Sequence, residues 1–149
     1  MTTVTVTNKL EAPVDHVFAA FTDIEHNAQR VSGIKNVEVL TTGGFHLGTR
    51  WRETREVMGR LGDAEMEVTA FDQGRGYTIT HYKGGVKIDT VFTFAAHGDG
   101  TQVSIDFALE NQGLPPGLLT PVSWAIAGKV KEALGQDLSD MKKSVESVP

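Results

Sequence analysis

Two hydrophobic periods divide the chain. Residues 3 to 10, TVTVTNKL, alternate strictly and predict a β-strand with Val4 and Val6 on one face. In the following APVDHVFAAFTDIEHNAQRV, Val14, Val17, Phe18 and Phe21 fall at helical spacing, which predicts a short amphipathic helix with Pro13 in its first turn. Asp23 suits the N-cap of a second short helix that runs to about Arg30 and ends by Gly33. From Ile34 the period becomes two. IKNVEVLTT, GTRWRETREVM, GDAEMEVTAFD, GYTITHY, GVKIDTVFTFAA and TQVSIDFALE predict six further strands. The separators Gly43/Gly44, Gly59 to Gly62, Gly74/Gly76, Gly84/Gly85 and HGDG are short, so the strands should join as hairpins in an antiparallel meander, with Asp99-Gly100 the strongest turn signal. Alternation of this kind leaves one face of the sheet in water. After NQGLPPG the helical period returns: Leu118, Val122, Ile126, Val130, Leu134, Leu138, Met141 and Val145 form one stripe. A helix of about 28 residues would measure roughly 42 Å, enough to cross the sheet. Gly128 and Gly135 inside it point to a bend, a close approach or plain packing.

Composition narrows the function classes. The 149 residues suit a single domain over 1–149, with 40% hydrophobic and 22% charged positions. A formal net charge of -5 and the lack of any Lys/Arg run argue against nucleic acid or an anionic membrane as partner. The absence of Cys removes disulfides and thiol chemistry. Neither a secretory leader nor an apolar run of about 18 residues is present, so no membrane insertion is expected and the cytoplasm is the expected location, as a monomer or homodimer.

Seven antiparallel strands and one long helix must bury their apolar faces together, and one helix does not fill the hollow of a long curled sheet. An internal cavity is the expected result. The order of elements is α+β: a strand, two short helices, a six-stranded meander and a long C-terminal helix. It is carried by APVDHVFAAFTDIEH, GIKNVEVL, GTRWRETR, EMEVTAFD, TVFTFAAHGDGTQVSIDFAL and the final helix. Over nearly the whole chain this resembles the START-like (SRPBCC, helix-grip) superfamily that includes the birch pollen allergen, and most of all its polyketide cyclase/dehydrase branch. The resemblance implies a seven-stranded curved antiparallel sheet wrapped around the C-terminal helix. It does not fix the activity.

The strand GTRWRETREVM poses the sharpest question, because its middle is full of charge. Trp51 and Val57 share one face with Glu53 and Arg55, against Met58 alone on the other, so this set is expected to point inward and Arg50, Arg52 and Glu56 outward. A buried isolated carboxylate costs several kcal/mol and needs a partner. Arg55 could pair with Glu53 as a structural salt bridge, reach solvent at the rim, or serve a ligand. In GYTITHY the face with Ile79 is the better inward choice, which brings Tyr77 and His81 with it. Glu53 and His81 are the candidate catalytic acid/base pair. Trp51, Arg55, Met66, Val68, Tyr77, Ile79, Ile88, Thr90, Phe92, Leu118, Val122 and Ile126 are the candidate ligand contacts. Trp124, near GLPPGLLTP, is either core or an entrance gate. The remaining His residues, at 16, 26, 46 and 97, have no metal-ligand spacing, and no Gly-rich phosphate loop or nucleophile elbow occurs, so neither a metal nor a cofactor is expected.

Three function classes remain. The first is binding of a small hydrophobic ligand such as a lipid, polyketide or aromatic compound. The second, implied by the resemblance, is a polyketide cyclase/dehydratase in which Glu53 and His81 move protons and Tyr77 or Arg55 polarises a carbonyl. The third is a protein-interaction module using the charged outer sheet.

Overall fold

The structure is a computed structural model that describes residues 2–57, 59–111 and 120–147, leaving out the side chains at 2, 57, 111 and 120–126. Strand β1 (Thr2–Leu10) is followed by helix α1 (Val14–Thr22), a 3-10 turn (Ile24–His26) and α2 (Asn27–Arg30). Then come β2 (Ile34–Val39), β3 (Arg50–Val57), β4 (Arg60–Asp72), β5 (Gly76–Lys83), β6 (Val86–His97), β7 (Gly100–Asn111) and α3 (Thr120–Glu146). All seven strands form one antiparallel sheet in the order β1-β7-β6-β5-β4-β3-β2. The meander is therefore sequential except at one place, where β1 closes against β7. Register shifts between Ile34 and Asn36 in β2 and between Val68 and Ala70 in β4 mark bulges, which bend strands and add twist.

The register confirms which side faces the core. Trp51 lies opposite Met66, Val68 opposite Ile79, Tyr77 opposite Phe92, Phe92 opposite Ile105 and Phe94 opposite Val103, so alternate residues form continuous apolar rows. Helix α3 turns Leu138, Met141 and Val145 into that core, with 2%, 3% and 3% of their surface exposed. Polar ties hold the same half of α3. Lys142 Nζ donates to the Lys9 carbonyl at 2.7 Å, and the Glu11 N–H donates to Glu146 Oε2 at 2.7 Å.

Several boundaries depart from the sequence expectation. Pro13 is the N-cap of α1, with φ -63 and ψ 155, because its ring fixes φ while its ψ stays extended. Asp23 precedes the 3-10 turn without capping it through its side chain; its carboxylate instead takes Arg30 at 3.0 Å and His26 at 2.8 Å. The second helix does end at Arg30, as expected. Strand β2 ends at Val39, so β2 and β3 are joined by a ten-residue loop (40–49) in place of a short turn. Thr49 organises that loop: its hydroxyl donates to the Gly44 carbonyl at 3.0 Å and accepts from the His46 N–H at 2.9 Å. The β6–β7 turn is centred on Gly98-Asp99, one residue earlier than expected. Gly98 takes φ 61, while Gly100 already pairs with His97, and a Cβ there would collide with the Leu10 carbonyl oxygen.

Neither a close approach nor tight packing explains the helix glycine at 135, since a Cβ built there meets nothing within 4 Å. Gly135→Ala is therefore expected to raise stability by about 1 kcal/mol, readable as a higher urea midpoint at unchanged slope. A fall in the midpoint would show that the position needs its glycine.

Candidate functional site

The charged strand β3 divides as its pattern predicts. Trp51 is 1% exposed and Glu53 8%, Arg55 is half-buried, and Arg50, Arg52 and Glu56 are exposed. The outer set forms cross-strand ion pairs: Arg50 with Glu65 at 3.0 Å, Arg52 with Glu38 at 2.7 Å and Lys35 with Glu56 at 3.4 Å. Exposed pairs of this kind each contribute well under about 1 kcal/mol.

The inner set is built differently. Trp51 Nε1 donates to Glu53 Oε1 at 3.3 Å, and Arg55 Nε donates to Glu53 Oε2 at 3.2 Å. The same guanidinium reaches across to α3, where one terminal nitrogen donates to both oxygens of Asp137 at 3.0 and 2.9 Å. Glu53 thus has its partner, and the partner is shared. One cation stands between two carboxylates, and the trio joins the sheet to the C-terminal helix. Next to it, Asp140 accepts from both the N–H and the hydroxyl of Ser32 at 3.0 and 2.9 Å. Sequence reasoning missed Asp137. The available signal was an acid directly beside the apolar stripe residue Leu138, where a polar side chain falls at the helix–sheet seam.

Burial and charge compete throughout this group. Burial pushes the Asp137 carboxyl up to about 6, with Arg55 only partly offsetting it and Glu53 adding to it. Burial also works against the charge on Arg55, but Asp137 and then Glu53 outweigh it and hold the guanidinium above its usual range. On β5, burial lowers the pKa of His81, with Glu53 opposing the shift and Lys83 and Arg55 reinforcing it. His81 is therefore neutral at pH 7, and its Nδ1 is the one buried side-chain nitrogen or oxygen among the described residues without a hydrogen-bond partner.

That orphan carries a cost. A His with a lowered folded pKa binds fewer protons folded than unfolded, so its contribution to stability falls as the pH drops below 6.5. His81→Leu is expected to stabilise the protein by about 1 kcal/mol at pH 7.5 and by more at pH 5.5. Urea unfolding at the two pH values checks this, and a variant less stable at both would show that His81 is satisfied.

The other predicted contacts fall into two groups along the same inward face. Val68, Ile79 and Tyr77, exposed 0%, 9% and 4%, belong to the packed core. Tyr77 sits in an aromatic cluster, 4.7 Å from Phe92 in a stacked arrangement and 4.8 Å from Phe45 edge-on. Phe18, Phe21, Phe71 and Phe94 complete the cluster, and burial drives the Tyr77 phenol pKa well above its usual range. The second group lies toward the β3 charges: Met66 opposite Trp51, Ile88 opposite His81, and Thr90 between Ile79 and Phe107. Leu118 lies outside the described residues, as do Pro115, Pro116 and Gly117. Val122, Trp124 and Ile126 lie on α3 with their side chains outside the described set. Phe45 is also missed by sequence reasoning, since the glycine pattern reads its loop as a hairpin turn.

Of the other His residues, His16 and His97 are exposed and His46 accompanies Thr49. Among the described residues no group of three or more His, Asp or Glu side chains gathers as a metal site, and no helix is long and apolar enough to cross a membrane. A recess of about 530 Å³ lies between α1, the 40–49 loop and the β4–β5 turn, lined by Phe18, Thr22, Phe45 and Gln73 among others; none of the predicted contacts lines it.

Comparison with known proteins places this geometry in a family. Residues 1–146 match the family described as polyketide cyclase / dehydrase and lipid transport, and the chain belongs to it. Its fold is that of the START/SRPBCC superfamily. A protein of Thermus thermophilus aligns with a TM-score of 0.81 at 18% identity over 98% of both chains. A START superfamily protein of Mycobacterium smegmatis aligns at 0.77 and 21% identity over 99% of both. The Zhui aromatase/cyclase of Streptomyces sp. R1128 aligns at 0.76 and 19% identity, over 97% of this chain and 93% of that one. No curated protein matches the chain. At these identities the structural likeness establishes the fold, while family membership supports a ligand-binding or cyclase role.

Proposed function

We propose that the protein binds a small hydrophobic ligand, such as a lipid, polyketide or aromatic compound, in a cavity between the concave sheet and α3. The observation that carries this reading is the incomplete cover of the inward face. Met66, His81, Thr90, Phe92, Phe107 and Leu109 all lie on the rows that build the core, yet each keeps part of its surface exposed, while neighbours such as Val68, Phe94, Val103 and Ile105 are sealed. An apolar surface left partly open on the inside of a curled sheet is what a ligand would cover. The polar groups of β3 and β5 sit along this surface and would orient one end of the ligand. Native mass spectrometry of the purified protein and a thermal-shift screen with apolar compounds test the reading. A bound apolar compound, or a melting temperature that rises with added compound, supports it; an interior that responds to none overturns it.

A second reading is turnover of such a ligand by a cyclase/dehydratase-type reaction. Its support is a neutral His81 within electrostatic reach of Glu53, a pair of groups suited to moving protons, together with the family's description. Glu53→Gln and His81→Ala should then each lower kcat by about 10²-fold or more on a cyclisable polyketide mimic. If both variants turn the mimic over at the native rate, the site is not catalytic in this way.

A further inference from the structure

The charged groups at the polar end of this surface do not balance. Glu53 and Asp137 bring two carboxylates, Arg55 brings one cation, and that cation already donates to both acids. His81 adds no charge at neutral pH. Lys83 follows His81 on the same face of β5 and its charge is felt there ahead of that of Arg55, but its side chain is exposed and screened by water, so the net charge of the buried groups is set by Glu53, Asp137 and Arg55; Asp140 faces Ser32 and Gln136. An anionic headgroup arriving here would meet net negative charge in a partly desolvated place, where screening is weak. It would also bring no donor of its own, because a carboxylate only accepts hydrogen bonds.

The unmet hydrogen-bonding capacity points the same way. Each Glu53 oxygen accepts one bond among the described residues, Oε1 from Trp51 and Oε2 from Arg55, and a carboxylate has room for about four in all. The side chain keeps 10% of its surface exposed, so a ligand donor can reach it. His81 Nδ1 has no partner, and whether it needs a donor or an acceptor depends on the tautomer. A hydroxyl is the small neutral group that serves both, since it donates to Glu53 and either accepts from or donates to the imidazole.

Resting on the ligand-binding reading above, we infer that the site selects an apolar molecule ending in a neutral hydroxyl, an alcohol or phenol, and rejects the corresponding carboxylate. The recognition is set by Glu53, Asp137 and His81; Arg55 gives its Nε and one terminal nitrogen to the two acids, so a ligand carboxylate would have to share a cation that is already doubly paired.

Three probes with one aromatic body and different heads test it: 2-naphthol, 2-methylnaphthalene and 2-naphthoate, titrated calorimetrically into the full chain at pH 7.5. The expected order places 2-naphthol about tenfold tighter than 2-methylnaphthalene and 2-naphthoate at least tenfold weaker than it. In Glu53→Gln, whose fold is checked by circular dichroism, the penalty on 2-naphthoate should shrink several-fold. Naphthoate binding as tightly as naphthol in the native protein overturns the headgroup inference and leaves the ligand-binding reading standing. Equal affinity for all three probes does the same. If none binds, both fall.

Discussion

Arg55→Ala is expected to lower the unfolding free energy by about 3–5 kcal/mol, among the largest effects of any single substitution in this protein. Arg55 is half-buried but its two partners are largely buried, so truncating it leaves two carboxylates, only 10% and 17% exposed, without the cation they share. Urea unfolding at pH 7.5 reads the loss, and a cost below about 1 kcal/mol would mean that the trio behaves as a surface pair. Asp137→Asn should cost less, because the amide still accepts from Arg55 and the guanidinium keeps Glu53. The pH dependence separates the two acids further. The folded pKa of Asp137, about 6, lies above its ordinary 3.8, so the folded protein holds this proton more tightly than the unfolded chain. Its contribution is therefore largest below 3.8 and is lost as the pH rises toward 6. Native protein should lose stability relative to Asp137→Asn over that rise, and an opposite trend would contradict the raised value.

Phe18→Ala is the second large effect, at about 3–5 kcal/mol. Phe18 is 3% exposed, and its ring lies 5.1 Å from Phe94, 6.0 Å from Tyr77 and 6.0 Å from Phe71. These rings belong to β6, β5 and β4, so a single side chain of α1 touches three strands. Removing it leaves a void among rigid rings that collapse poorly, which places the cost at the high end for a core truncation. The urea midpoint should drop sharply while far-ultraviolet circular dichroism in water stays close to native. A loss under about 1.5 kcal/mol would show that the cluster can close over the gap.

Local period carried most of the fold. Alternation in GTRWRETREV separates Trp51 and Glu53 from Arg52, and the large apolar Trp51 and Val57, set beside the neighbouring strands, decide which set turns inward. The loop at 40–49 resisted the same treatment. GGFHLG carries hairpin glycines, yet Thr49 and the insertion of Phe45 among Trp51, Phe71 and Tyr77 set its course, and those contacts are tertiary. The site was legible in halves. Glu53, Arg55 and His81 stood out as polar residues on apolar faces, whereas Asp137 looked like one more acid on an amphipathic helix. Only the crossing of α3 over β3 turns it into Arg55's second partner, across 82 residues of chain.

The pairing of β1 with β7 sets Thr2 opposite Leu109 and Leu10 opposite Thr101. Every other neighbouring pair in the sheet is consecutive in sequence, so β2 to β7 can assemble by short-range closure as the polypeptide leaves the ribosome. Strand β1, made first, has to wait for the strand made last. Until then the β7 edge of the sheet lacks its partner strand, and that interval is when the chain is most open to pairing with another copy of itself.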